Sequence, residues 1–206
     1  GRSGHRLVSA GRAVCNAAGE SLTAPTSGRD TPHLRHRQGL QDNERAHILT
    51  SGSEILPAQA AQLLDDLTAI VARASAVIQA ISSDSVDRRL KPDSSPVTAA
   101  DEASEATILK ELARLLPKVP VISEEMAGNK APPALDGSFF VVDPLDGTRE
   151  FLAGRDEFTV NLGIVTRGVP IAGIIAAPRR GQIWRGVVGM GAERLRLLPD
   201  GATEAQ

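Results

Sequence analysis

Residues 139–148 read Phe-Phe-Val-Val-Asp-Pro-Leu-Asp-Gly-Thr, and no other stretch limits the fold as tightly. Four apolar residues in a row, Phe139 to Val142, predict a buried strand ending at Asp143. Pro144 has no N–H, so it is expected to stop ladder pairing and fix a turn there. Asp143 and Asp146 can then face one point at a strand end. Hard cations such as Mg²⁺ prefer oxygen ligands of this kind. The Gly147 and Thr148 amides, opening a turn or helix, would suit a phosphate. Cation beside phosphate points to metal-assisted phosphoryl chemistry. Asp-Pro and Asp-Gly are also ordinary turn formers, so context decides. A second acidic pair, Glu124-Glu125, follows the short apolar run Val119–Ile122, and a third acid, Asp101, closes Ser95-Pro96-Val97-Thr98-Ala99-Ala100-Asp101.

The rest of the chain supplies the frame for these clusters. From Pro57, a residue suited to a first helical position, apolar residues Leu63, Leu64, Leu67, Ile70, Val71, Ala74, Val77, Ile78 and Ile81 recur at helical spacing. That pattern predicts a long amphipathic helix. Residues 82–95 read as a polar loop. A second helix is expected over Ala100–Leu115, with Ile108, Leu109 and Leu112 inward and Pro117 ending it. Strands are expected over Val119–Ser123, Phe139–Asp143, Phe158–Thr166, Val169–Ala177, Gln182–Val188 and Glu193–Leu198. Arg167-Gly168 and Arg179-Arg180-Gly181 supply turns between them. Two helices followed by sequential antiparallel strands argue an α+β fold.

The chain has 206 residues and a formal net charge of −2, enough for one domain with a real core. The near-neutral balance gives no bulk-charge reason to expect nucleic-acid or membrane binding, and no apolar run approaches transmembrane length. A single cysteine, Cys15, cannot form an internal disulfide and fits a reducing compartment. Residues 1–56 are rich in Gly, Ser, Arg and His and poor in large apolar residues. They read as a disordered or spurious extension, or as an Arg-rich targeting peptide without a clear cleavage signature. His5, His33, His36 and His47 match no metal-ligand spacing.

The three acidic clusters in this order, Ser95–Asp101, Val121-Ile122-Ser123-Glu124-Glu125 and Asp143–Thr148, resemble the motifs of the inositol monophosphatase superfamily of lithium-sensitive, Mg²⁺-dependent phosphatases. Arg149-Glu150-Phe151 and Glu157-Phe158-Thr159-Val160-Asn161 look most like its CysQ-type 3'(2'),5'-bisphosphate nucleotidases. The resemblance runs from about Pro57 to about Leu198. It implies the N-terminal part of a layered αβαβα sugar-phosphatase-like fold, with two long helices packed on a mainly antiparallel sheet. It also implies that Glu124, Asp143 and the Leu145 carbonyl hold one Mg²⁺, and that Asp143 and Asp146 share a second. Asp101 and Thr148 would orient or deprotonate the attacking water, and Gly147, Thr148 and Glu124 would meet the substrate. The implied substrate is 3'-phosphoadenosine 5'-phosphate, cleaved to AMP and phosphate. The implied setting is cytoplasmic, peripheral on the inner membrane at most, with a homodimer as the assembly.

Simpler readings compete. Asp101 can be a helix N-terminal acid favoured by the dipole. Glu125 can be a solvated acid, Asn161 a hydrogen-bonding support, Arg149 and Glu150 surface residues, and Trp184 core packing or a dimer contact. The family also carries a further metal-binding Asp in a Trp-Asp context whose position would fall past Gln206. Residues 57–206 therefore read as an incomplete phosphatase domain, with one sheet face partly uncovered. Inositol monophosphatase and fructose-1,6-bisphosphatase are rival activities. A Mg²⁺-binding remnant without turnover, a subunit needing a partner, and a basic N-terminal interaction arm are rivals of other kinds.

Overall fold

The computed structural model describes residues 54–81, 89–90, 96–127 and 137–206. The readings placed on residues 1–53, including Cys15 and the four histidines, lie outside the described residues, as does most of 82–95 and 128–136. Helix α1 spans Pro57–Ala80, with Pro57 at its start and the Gln59 carboxamide accepting the Leu56 N–H at 2.9 Å. Leu63, Leu67, Ile70, Val71, Ala74 and Ile78 are all buried. Each large aliphatic side chain contributes roughly 1.5–3 kcal/mol on burial, and this stripe holds α1 on the sheet. The two buried hydroxyls on the helix, Thr68 and Ser75, bond back to the Leu64 and Val71 carbonyls at 2.6 and 2.8 Å. The packed part begins before α1. Ile55 is in the core, its N–H donates to Ser138 Oγ at 2.7 Å, and its carbonyl accepts from Thr166 at 2.9 Å.

Strands β1 (Arg89–Leu90) and β2 (Pro96–Val97) pair antiparallel within the stretch expected to be loop. Helix α2 spans Ala99–Leu115. Then come β3 (Val121–Ser123), the single-turn helix α3 (Glu124–Ala127), β4 (Ser138–Asp146), the short helix α4 (Thr148–Leu152), β5 (Thr159–Thr166) and β6 (Val169–Ala177). A 3₁₀ turn over Pro178–Arg180 leads into β7 (Gln182–Val187), β8 (Gly191–Leu197) and β9 (Thr203–Ala205). The expected strand at Val119 begins only at Val121, because the Val119 N–H is spent on a turn to Leu116 and Pro120 has no N–H to give. Strand β9 has no clear sign in the sequence: Thr-Glu-Ala has weak strand character, and only the β8 edge draws it into register.

Among the described residues, strands β3 to β9 form one sheet in chain order. Its β3–β4 pair is parallel and the others are antiparallel, an α+β arrangement as expected. The β5–β6 turn uses Arg167 at φ 51° and Gly168 at φ 74°, the paired positive dihedrals of a two-residue hairpin. Side chains alternate across the sheet. Phe140, Val142, Leu162, Ile164, Ile174, Ala176 and Ile183 are buried on the face that α1 and α2 cover. The opposite face carries Val141, Ile175 and Trp184, which are 40, 47 and 39% exposed. Trp184 is therefore not core, contrary to one of the expectations. It sits on β7 opposite Ile175 and Arg194.

Candidate active site

The site forms where β3, β4 and the N-terminus of α2 meet. Parallel pairing sets Ser123 level with Val142, so Glu124, where β3 gives way to α3, comes beside Asp143. Pro144 does not end the strand as expected. Its missing N–H produces an irregularity between Asp143, which pairs with Asn161, and Asp146, which pairs with Thr159. A bulge of this kind re-aims side chains. It carries Pro144 and Leu145 inward, both buried, and leaves one carboxylate on each side, Asp143 and Asp146. Ser104 on α2 donates to the Pro144 carbonyl at 2.7 Å and pins the bulge to the helix. Ser104 belongs to none of the acidic motifs. Its only signal in the sequence is its place three residues after Asp101, on the same helical face.

Burial, and then the neighbouring Glu124 and Asp146 carboxylates, push Asp143 up to about 7. Its Oδ1 is buried without a hydrogen-bond partner. The Asn161 amide reaches Asp146 Oδ2 at 3.5 Å, while Asn161 Oδ1 is also buried and unpartnered. Among the described residues no three such ligands are drawn into a closed metal-binding cluster. Asp143 shares a side-chain hydrogen bond with Glu124, and like charges repel most where one of them is desolvated, as Asp143 is. An all-oxygen set with a raised Asp143 and an orphaned oxygen fits a hard divalent cation, which would displace the proton and relieve the repulsion.

Asp101 joins the cap of α2 to Thr148, the first residue of α4. Its side chain is fully buried. Oδ2 accepts the Thr98 N–H at 2.8 Å and the Thr98 hydroxyl at 2.6 Å, while Thr98 Oγ1 accepts from the Ala100 N–H at 3.1 Å. This reciprocal cap starts α2. Oδ1 then accepts the Thr148 hydroxyl at 3.0 Å. That hydroxyl also lies 3.2 Å from the Leu145 carbonyl, so Thr148 stands between a carboxylate and the bulge. Gly147 precedes it at φ 92°, and a Cβ there would come within 2.9 Å of the Glu157 carbonyl oxygen. Glycine is the residue that satisfies both restraints. The first amides of α4 have no intrahelical acceptor. Glu125 is half-buried at the start of α3, and Arg149 is exposed on α4.

The carboxylates at the ends of β3 and β4 and the Asp–Thr pair of α2 and α4 thus lie beside one another on an α+β scaffold. The sequence profile of the Inositol monophosphatase family matches residues 59–201, and the chain belongs to that family. It is 47% identical over 88 residues to the 3'(2'),5'-bisphosphate nucleotidase CysQ of Buchnera aphidicola, covering 43% of this chain and 33% of that protein. It is 32% identical over 141 residues to the nucleotidase CysQ of Aggregatibacter actinomycetemcomitans, covering 66% of this chain and 51% of the relative. The solved inositol monophosphatase from Anabaena superposes with a TM-score of 0.52 at 31% identity, over 64% of this chain and 46% of that one. The chain spans between a third and about half of the length of these curated relatives. Among the described residues no helix is long and apolar enough to cross a membrane.

Proposed function

We propose that residues 57–206 carry the catalytic motifs of a Mg²⁺-dependent phosphomonoesterase that removes the 3'-phosphate of 3'-phosphoadenosine 5'-phosphate, leaving AMP. The observation that carries this reading is the crowding of Asp143 by Glu124 and Asp146 a few residues from a hydroxyl bonded to a buried carboxylate. Glu124, Asp143, Asp146 and the Leu145 carbonyl would hold the cations. When bound, such ions neutralise a phosphate dianion and make water a better nucleophile. The chain's own residues supply direction. Asp101 is held by two bonds from Thr98, so only Oδ1 is aimed at Thr148. A proton leaving the attacking water can pass to Thr148 Oγ1 as the Thr148 proton moves to Asp101 Oδ1. The amides of Gly147 and Thr148 would bind the phosphate oxygens, a role that glycine permits by letting backbone approach closely. Support for the nucleotide substrate over an inositol phosphate comes from the CysQ relatives and from Arg149-Glu150-Phe151 after Thr148.

The deciding experiment is phosphate release from 3'-phosphoadenosine 5'-phosphate and from inositol 1-phosphate, with Mg²⁺, with and without lithium, beside Asp143→Asn. Mg²⁺-dependent, lithium-inhibited release from the nucleotide, lost in the variant, is the expected result. Faster release from inositol phosphate would overturn the substrate. A folded chain that binds Mg²⁺ and releases nothing from either would leave a metal-binding protein without turnover.

A further inference from the structure

The segment between α4 and β5, residues 153–158, lies directly behind Gly147. The Gly147 Cα is so close that an added Cβ would stand 2.9 Å from the Glu157 carbonyl oxygen and 3.2 Å from the Phe158 Cα. Anything that lets this segment move therefore moves the support of Gly147 and Thr148. Backbone bonds from Ala153, Gly154 and Arg155 to α4 carbonyls tie its start to that helix, and the exposed side chain of Arg179 adds three further contacts. Arg179, on the 3₁₀ turn after β6, donates through Nη1 to the Gly154 carbonyl and approaches the Arg155 carbonyl at 3.4 Å. Its guanidinium carbon lies 5.7 Å from the centre of the Phe158 ring. Phe158 in turn meets Phe151 of α4 edge to face, with ring centres 5.4 Å apart, and both rings are buried. A neighbouring pair, Arg180 and Glu157 at 3.6 Å, is exposed at both ends and adds little.

The turn that carries Arg179 is itself anchored. Gln79 of α1 donates to the Pro178 carbonyl at 3.1 Å, and Gly181, at φ 61°, returns its N–H to the same carbonyl at 3.1 Å. A path of contacts therefore runs from α1 through Pro178 and Arg179 to the segment behind Gly147. None of these residues belongs to the acidic motifs.

We infer that Arg179 is a positioning residue, which sets the Gly147–Thr148 backbone by clamping residues 154–158 against it. The planar guanidinium is suited to this, since it can donate to carbonyls from its edge while its face lies on a ring. A lysine supplies three rotatable donors on a point charge but not the planar fork that can also lie on a ring. The inference rests on the proposed role of Gly147 and Thr148 for its catalytic consequence, but its geometric content is independent of any activity.

The test compares the whole chain with Arg179→Ala and Arg179→Lys by amide NMR and hydrogen exchange, followed by phosphate release at saturating Mg²⁺. In Arg179→Ala the amides of residues 154–158 should exchange roughly tenfold faster or more, as local protection is lost. The Gly147 and Thr148 resonances should shift with them, while amides of β8 should not. Arg179→Lys should fall between. Where the wild-type chain releases phosphate, kcat should drop several-fold in Arg179→Ala while the Mg²⁺ dependence stays in place. Faster exchange at 154–158 with unmoved Gly147 and Thr148 resonances would overturn the inference, as would unchanged exchange. An inactive wild type counts against the proposed function alone, because the resonances still decide the role of Arg179.

Discussion

At the scale of single residues, Asp143 combines the largest cost with the clearest use. Its carboxyl is desolvated and faces Glu124 and Asp146, so its proton is held up to about pH 7. An acid whose pKa is higher in the folded than in the unfolded chain stabilises the fold fully below its unfolded value, near 4, and loses that contribution as pH rises through about 7. The cation-free chain should therefore unfold at a lower temperature at about pH 8 than at about pH 6. Asp143→Asn should flatten that dependence, because the amide has no proton to lose. Added Mg²⁺ should stabilise the wild type more at the higher pH, where the proton no longer competes for the oxygens. Thermal unfolding followed by circular dichroism, with and without Mg²⁺, measures all three. An unchanged pH slope in Asp143→Asn would show that another group carries it.

Among the elements, the contact of α1 with the far half of the sheet depends on a buried cation. Arg185 of β7 is only 5% exposed, yet it lies on the face packed against the helix. Its Nη1 meets Asp65 of α1 at 2.5 Å and Thr68 at 3.2 Å, and its Nη2 meets Glu193 of β8 at 2.6 Å. One guanidinium therefore joins a helix and two strands. Removing one member of a fully buried pair costs about 3–5 kcal/mol. Asp65 and Glu193 keep 35% and 29% of their side-chain surface in contact with solvent, which softens the loss. Arg185→Ala should cost about 2–3 kcal/mol in urea unfolding, and Arg185→Lys should recover less than half of it, since an ammonium cannot serve three acceptors in a plane. A loss below about 0.5 kcal/mol in Arg185→Ala would make the cluster an ordinary surface network.

Over the whole molecule, the two faces of the sheet differ in kind. Adjacent residues of β6 report on each: Ile174 is 1% exposed beneath the helices and Ile175 is 47% exposed on the other side. Ile174→Asp should unfold the chain or cost more than about 4 kcal/mol, by placing a carboxylate in an apolar core without a partner. Ile175→Asp should stay within about 1 kcal/mol of the wild type. Equal damage from both in chemical denaturation would mean that the second face is covered as well. The asymmetry is legible in the sequence of β5, where Val160, Leu162 and Ile164 alternate with Thr159, Asn161 and Gly163. It is hidden in β6, where Ile174 and Ile175 stand side by side and alternation gives no sign of which one faces the helices.

Much of this protein follows from local spacing, and that part can be read in its sequence. The long helix from Pro57, the Arg167-Gly168 hairpin, the order of strands and the three acidic clusters are legible because periodicity, proline, and glycine at positive φ act within a few residues. Asp101, Glu124 and Asp143 stand out for the same reason, at the ends of predicted elements, with Asp146, Gly147 and Thr148 in the turn that follows; the roles proposed for them come from the resemblance to the family. The rest was settled by packing between residues far apart in the chain. Ser104 gained a role because α2 crosses the β4 bulge, and Pro144 bent the strand instead of ending it because β5 resumed the pairing at Thr159. Trp184 came to the open face because strand parity is counted from the sheet, not from the residue. Arg179 met the segment behind Gly147 because α1 holds the turn that carries it. Each of these contacts joins elements separated by many residues, and a single sequence carries no local trace of which surfaces the chain will bring together.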